Sequence, residues 1–254
     1  EFLAPSLTWR AGDRTELTFL ATWQRDDTAS SQQFLPVVST LLASGDRRLD
    51  PSTFLGDTGY DRLLAEQRSA TLLAEHRATD ALTLRANARY VDAETTFQEI
   101  YPDVYSNPQD PFLPGSDREV NRLAYGVKPE FGILTSEISA QYVFDTGPLR
   151  HTLLAGVDYR RFRQSSQTAF GSVTPIDIYE PVSTGVIAPA YARDPDFRSS
   201  ELGYYAQDQI RWGERLSIIL GARRDRATAD TQGGASQHDE ETAFRAGVVG
   251  EIGA

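Results

Sequence analysis

Leu82-Thr83-Leu84-Arg85-Ala86-Asn87-Ala88-Arg89-Tyr90 places an apolar residue at every second position and a polar one between. Side chains of a β-strand point alternately to its two faces, so this period of two predicts a strand with one apolar and one polar face. The same alternation stands at Leu17, Phe19, Ala21 and Trp23, at Ile138, Ala140, Tyr142 and Phe144, and at Leu216, Ile218, Leu220 and Ala222. Working outward from these gives about nine strand segments. They lie near residues 4–10, 15–26, 67–77, 81–97, the second half of 119–145, 150–165, 200–212, 215–229 and 242–253.

The connections say more than the strands. Ala11–Arg14, Ala78–Asp80, Thr146–Leu149 and Gly213-Glu214 are short, while 27–66, 98–118, 166–199 and 230–241 are long, and the two kinds alternate. Long loops without structure are rare inside compact soluble domains. A strict short-long alternation is the pattern of an outer-membrane barrel, with tight periplasmic turns and large extracellular loops. The expected fold is therefore all-β: an antiparallel transmembrane β-barrel segment.

Charge placement agrees with that expectation. Arg85, Arg89, Asp158, Arg211, Arg223 and Asp225 all share the register opposite the apolar one. Basic residues on a lipid face cost about 2–4 kcal/mol each at mid-bilayer, so these belong in the lumen. Trp9, Phe144 and Trp212 stand near short turns on the outward register, where an aromatic girdle meets the periplasmic interface. Asp208 conflicts with the pattern, because it shares the outward register with Tyr204, Ala206 and Ile210. A bulge or a partner on a neighbouring strand would accommodate it. Nine such strands, the first and last running the same way, do not close an antiparallel barrel. The segment is not expected to stand alone as a channel, and both ends read as cuts within strands of a longer chain.

Composition narrows the function classes. A net charge of -11 is the opposite of a nucleic-acid footprint. With no Cys, neither a disulfide framework nor a thiolate metal site can form. The mean hydropathy of -0.41 excludes a helical membrane protein but suits a barrel, in which only alternate residues meet lipid. His76, His151 and His238 fall in separate segments without metal-ligand spacing, and no nucleophile elbow, phosphate loop or His-Glu-x-x-His stretch occurs. Carboxylate runs such as Asp26-Asp27 and Asp239-Glu240-Glu241 read as solvated strand ends or loops. No enzyme is expected. The long loops instead hold Phe34, Phe54, Tyr60, Tyr101, Tyr105, Phe112, Phe170, Tyr179 and Tyr191. Such rings either line a ligand vestibule or pack the loops against one another.

Several stretches resemble the TonB-dependent siderophore receptors. Tyr204-Tyr205-Ala206-Gln207-Asp208, a tight turn, and Leu220-Gly221-Ala222-Arg223-Arg224-Asp225 resemble that family's paired-strand signature. Thr146-Gly147, followed by His151-Thr152-Leu153-Leu154-Ala155-Gly156-Val157-Asp158, resembles another of its strand pairs, and Ala4-Pro5-Ser6-Leu7-Thr8-Trp9-Arg10 the opening of its central barrel. The likeness is greatest to the ferrichrome-type, hydroxamate branch. It implies a barrel of about 22 strands, of which residues 1–254 are a partial barrel domain lacking plug and C-terminal strands. It also implies a Gram-negative outer-membrane location, a monomeric parent, a ferric siderophore as cargo with no resident cofactor or metal, and energy from TonB through a missing N-terminal region.

On the same resemblance, three residues line the ligand. Phe34 precedes Leu35-Pro36 in the first long loop, Tyr101 tops the following up-strand, and Phe170-Gly171 lies above the His-Thr-Leu-Leu strand. Gln32 and Gln33 depart from the ferrichrome pattern, which has a second aromatic there. The loops are acidic at Asp103, Asp110, Asp117, Asp194 and Asp196, which suits a neutral hydroxamate complex better than an anionic catecholate. Three other readings stay open: a TonB-dependent receptor for cobalamin, haem or a glycan, a passive porin, and a soluble all-β binding protein.

Overall fold

A computed structural model describes residues 1–250 other than 31, 43, 45, 46, 184 and 214. Glu214 of the fourth short turn and residues 251–253 of the last expected strand therefore lie outside the described residues. The strands are β1 (Phe2–Leu3), β2 (Ser6–Arg10), β3 (Thr15–Thr28), β4 (Arg62–Arg77), β5 (Leu82–Pro102), β6 (Glu119–Val127) and β7 (Glu130–Thr146). They continue as β8 (Leu149–Ser165), β9 (Gln167–Asp177), β10 (Ala192–Arg193), β11 (Phe197–Trp212), β12 (Leu216–Thr231) and β13 (Gln237–Gly250). A single turn, α1 (Val37–Thr40), interrupts the first long loop, and its Val38 and Ser39 leave helical angles.

All these strands join one antiparallel sheet in the order β1-β3-β4-β5-β7-β8-β11-β12-β13, with β2 beside β3. The expected segments correspond to β2 and to the members of this path from β3 to β13. Every short connection falls at one end of the strands and every long one at the other. Gly147 and Gly213 turn the chain at φ of 62° and 61°, angles at which a side chain would be strained.

Cross-strand partners share a face, so the pairings assign every residue to one side. Leu17, Phe19 and Ala21 face outward with Ala74, Leu72 and Ala70, and these in turn with Ala86, Ala88 and Tyr90. Ile138, Val157 and Tyr204 continue that face. Moving away from the short turns, and apart from Asp208, the outward register meets its first charges at Arg68, Asp92, Arg161 and Arg224, which mark the edge of the apolar band. Arg85, Arg89, Asp158, Arg211, Arg223 and Asp225 all fall on the inward register.

Asp208 stays on the outward register without a bulge, and a neighbouring strand supplies its partner. His151 Nδ1 lies 2.6 Å from its Oδ2, while His151 Nε2 meets Thr146 Oγ1 at 2.7 Å. The Phe144 ring stacks on the imidazole at 4.7 Å, and Tyr142 stacks on Phe144 at 5.4 Å.

Two stretches read as loop form strands instead. β5 runs on to Pro102, and β6 and β9 add an upper ladder above the apolar band, with β6 pairing both β5 and β9. The strand expected in the second half of 119–145 is β7, and the first half forms a further strand, β6, with the break at Lys128-Pro129. β8 and β9 break at Ser166, and β10 and β11 break at Asp194–Asp196, so three interruptions line up as one seam. Across it Lys128 N–H donates to Gln167 O at 2.9 Å, Asp194 N–H to Ser166 O at 3.0 Å, and Thr95 N–H to Pro129 O at 3.0 Å. β4, β11 and β13 also begin earlier than the alternation showed, at Arg62, Phe197 and Gln237.

Candidate ligand vestibule on the inward face

The lower inward wall is a polar lattice. Arg223 donates to both oxygens of Asp158 at 2.6 and 2.9 Å, and through Nε to Asp225 at 2.9 Å. Glu137 accepts from the Tyr205 hydroxyl and from Asn87 Nδ2, the latter at 3.1 Å. Arg85 reaches Glu75 at 2.9 Å and Gln141 at 3.1 Å. Gly156 is required here, because a Cβ at that position would stand 2.5 Å from the Tyr205 ring and 2.9 Å from the Ile138 carbonyl. The three histidines keep separate local partners: His76 meets Thr15, His151 meets Asp208 and Thr146, and His238 meets Thr228 and Ser236.

Higher on the same face the wall turns aromatic. The Phe131, Phe162 and Phe197 rings succeed one another at 5.9 and 6.0 Å. Beyond the seam, Glu99 pairs Tyr125 and Tyr125 pairs Phe170, while Tyr101 pairs Leu123, so all share the inward register. Phe97 and Tyr125 have centroids 6.2 Å apart. Ser30 and Gln33 lie along the free edge of upper β5: Ser30 Oγ donates to Gln98 O at 2.5 Å, and Gln33 Nε2 to Ile100 O at 3.4 Å. This brings Phe34 edge-on to Tyr101 at 5.1 Å and to Tyr105 at 5.6 Å.

Phe34 and Tyr101 therefore form one cluster. Phe170, 60% exposed, shares their face but stands two strands away, with Tyr125 between. Phe97, Tyr125, Phe131, Phe162 and Phe197 escaped the sequence reading. Phe97 and Phe162 stood inside expected strands on the polar register, and carrying the period of two past the expected ends would have found Tyr125, Phe131 and Phe197.

The other loop aromatics serve the opposite face. Tyr60 packs with Ile100 and Ala124, and Phe112 and Tyr179 pack against Leu49, Leu55, Val120, Ile176 and Ile178. At the centre of this seat lies Arg122, fully buried. A bulge opposite Asn121 leaves the Thr174 carbonyl free, and Arg122 Nε takes it at 2.8 Å. Its Nη1 holds the Leu55 and Gly56 carbonyls at 3.2 and 3.1 Å, which ties the first long loop to β9. Asp61 accepts from Ile100 N–H at 2.7 Å and Asp57 N–H at 3.1 Å, while Asp57 accepts from the Ser183 hydroxyl at 2.6 Å. Burial pushes Asp61 up to about 6 against those hydrogen bonds, with the Asp57 charge adding to the rise. Burial, then the nearby Asp61 charge, pushes Glu99 up to about 7.

The profile of the family described as TonB dependent receptor-like, beta-barrel matches residues 8–249. The chain belongs to that family. Among relatives of this TonB dependent receptor-like barrel, the ferrioxamine B receptor of Salmonella typhimurium is 27% identical over 235 residues, covering 89% of this chain and 31% of its own length. The ferrichrome outer membrane transporter/phage receptor of Escherichia coli is 26% identical over 249 residues, covering 90% and 33%. The chain spans about a third of the length of these curated relatives. Solved structures share the fold. The siderophore receptor PiuA from Acinetobacter baumannii superposes with a TM-score of 0.73 at 18% identity, over 97% of this chain and 39% of that one. The ferripyoverdine receptor of Pseudomonas aeruginosa gives 0.74 at 14%, over 99% and 33%. The outward apolar register is the lipid-facing wall of an outer-membrane barrel, and the seam and vestibule stand on its extracellular side.

Proposed function

We propose that the parent protein is a TonB-energised outer-membrane receptor and transporter for ferric siderophores of the hydroxamate type, acting as a monomer. The observation that carries this reading is the aromatic inward face at the long-loop end, where Phe34, Tyr101, Tyr105 and Tyr125 gather and Phe170 extends the surface. Rings of this kind give broad contact at low entropic cost to a compact, weakly charged complex. Acidic loops around them disfavour a strongly anionic catecholate. The ferrioxamine and ferrichrome receptors among the relatives support the same class.

The test uses the full-length receptor in a host stripped of its own siderophore receptors. Uptake of an iron-loaded tris-hydroxamate should require both TonB and the proton-motive force. Phe34→Ala and Tyr101→Ala should each weaken binding by about tenfold, read by titration calorimetry. Tight binding of a tris-catecholate with no response to hydroxamates would remove the hydroxamate assignment. Uptake that persists without TonB would point to a porin instead.

A further inference from the structure

Glu99 lies on β5 two residues before Tyr101 and directly across from Tyr125, on the inward aromatic register. The residue is 2% exposed, and its Oε1 has no hydrogen-bond partner among the described residues. The charged group that acts on it is Asp61, another acid. Arg122 belongs to the opposite register and is committed to the carbonyls of Leu55, Gly56 and Thr174. A buried carboxyl without a counter-charge is costly, and Gln would fill the same space without that cost. Packing therefore does not explain an acid at this position. Aromatic faces attract cations, and a carboxyl set among Phe97, Tyr101 and Tyr125 adds the anionic member that an ammonium group requires.

We propose that Glu99 is a specificity residue of the vestibule, selecting ferric siderophores that carry a protonated amine, whose ammonium donates to the free Oε1. The inference rests on the siderophore reading and adds the charge of the ligand to it. The backbone of Gln32 contacts the carboxyl, and Phe34 two residues on leans against Tyr101. The amine thus reaches Glu99 as this short stretch gives way, and a ligand without positive charge gains nothing by displacing it.

Two probes decide the matter on the full-length receptor in detergent: a linear ferric tris-hydroxamate ending in a primary amine, and the same complex with that amine acetylated. Wild type should bind the amine form about tenfold tighter. Glu99→Gln should abolish the preference, so that the two complexes bind with the same Kd. Equal binding of both probes by wild type overturns the role of Glu99 and leaves the siderophore reading intact, and it does so even if Glu99→Gln fails to fold. A preference that survives in Glu99→Gln overturns it too. Failure of wild type to bind either probe removes the hydroxamate reading itself, and the inference with it.

Discussion

Asp208 shows how one side chain is tolerated where its charge is unwelcome. It stands toward the short-turn rim, away from mid-bilayer, and His151 supplies a donor at 2.6 Å. Thr146 and the stacked Phe144 hold that imidazole in place. Replacing His151 with Leu strands the carboxylate against lipid, so barrel stability should fall by about 2 kcal/mol. Adding Asp208→Leu should restore most of the loss, because the pair is then replaced by apolar groups. Urea-unfolding midpoints of the full-length barrel in detergent micelles measure both, and an unchanged midpoint for the single variant would show that Asp208 is satisfied elsewhere. The conflict at Asp208 was visible from alternation alone, yet its resolution was not. Naming His151 requires the register between two strands whose sequence positions differ by 57. The same holds for Tyr125, whose place beside Glu99 exists only once β6 pairs β5.

The first long loop, seated on β5, β6 and β9, is an element whose grip depends on pH. Asp61 and Glu99 have folded values raised to about 6 and about 7. A raised carboxyl stabilises the seat fully below its unfolded value, and that contribution is lost as pH rises through the folded one. Asp57 acts in the opposite sense: burial is outweighed by hydrogen bonds from Ser183 and Gly59, so its value is lowered and its contribution is lost in acid. The groups facing Asp61 are Asp57, Arg122 and Glu99, with the Tyr60 hydroxyl nearby. The seat should be tightest at about pH 4 and loosen progressively toward pH 7.5. Hydrogen exchange of the Ile100 amide, which donates to Asp61, should report that loosening after correction for intrinsic rates. Protection that grows from pH 6 to 7.5 would contradict it. β6 and β9 were illegible in the sequence for a physical reason. The buried side of β6 carries Val120, Arg122, Ala124 and Gly126, so a charge and a glycine break the apolar period. In β9 the bulge and Pro175 shift the alternation midway. The lower strands were legible because lipid permits little besides apolar residues on their outward side.

At the scale of the whole molecule, the nine-membered path starts at β1, with β2 also beside β3, and finishes at β13 without rejoining. Open edges of such length template association with other chains. Residues 1–254 produced alone and refolded in detergent should associate through those edges and give no discrete conductance in planar bilayers. Stable monomers with a fixed unit conductance would show that the segment closes by itself. The seam has a separate consequence. Pro129, Ser166 and Pro195 fall where three strands are interrupted together, while β5 runs through without a break to Pro102. The cluster of Phe34, Tyr101 and Tyr125 stands above that line, while the lipid-facing apolar wall lies below it. The line therefore marks a natural splice site. Chimaeras joined there would exchange the upper storey of one receptor for another's and keep the same foundation, so new tastes in cargo can evolve without rebuilding the anchorage.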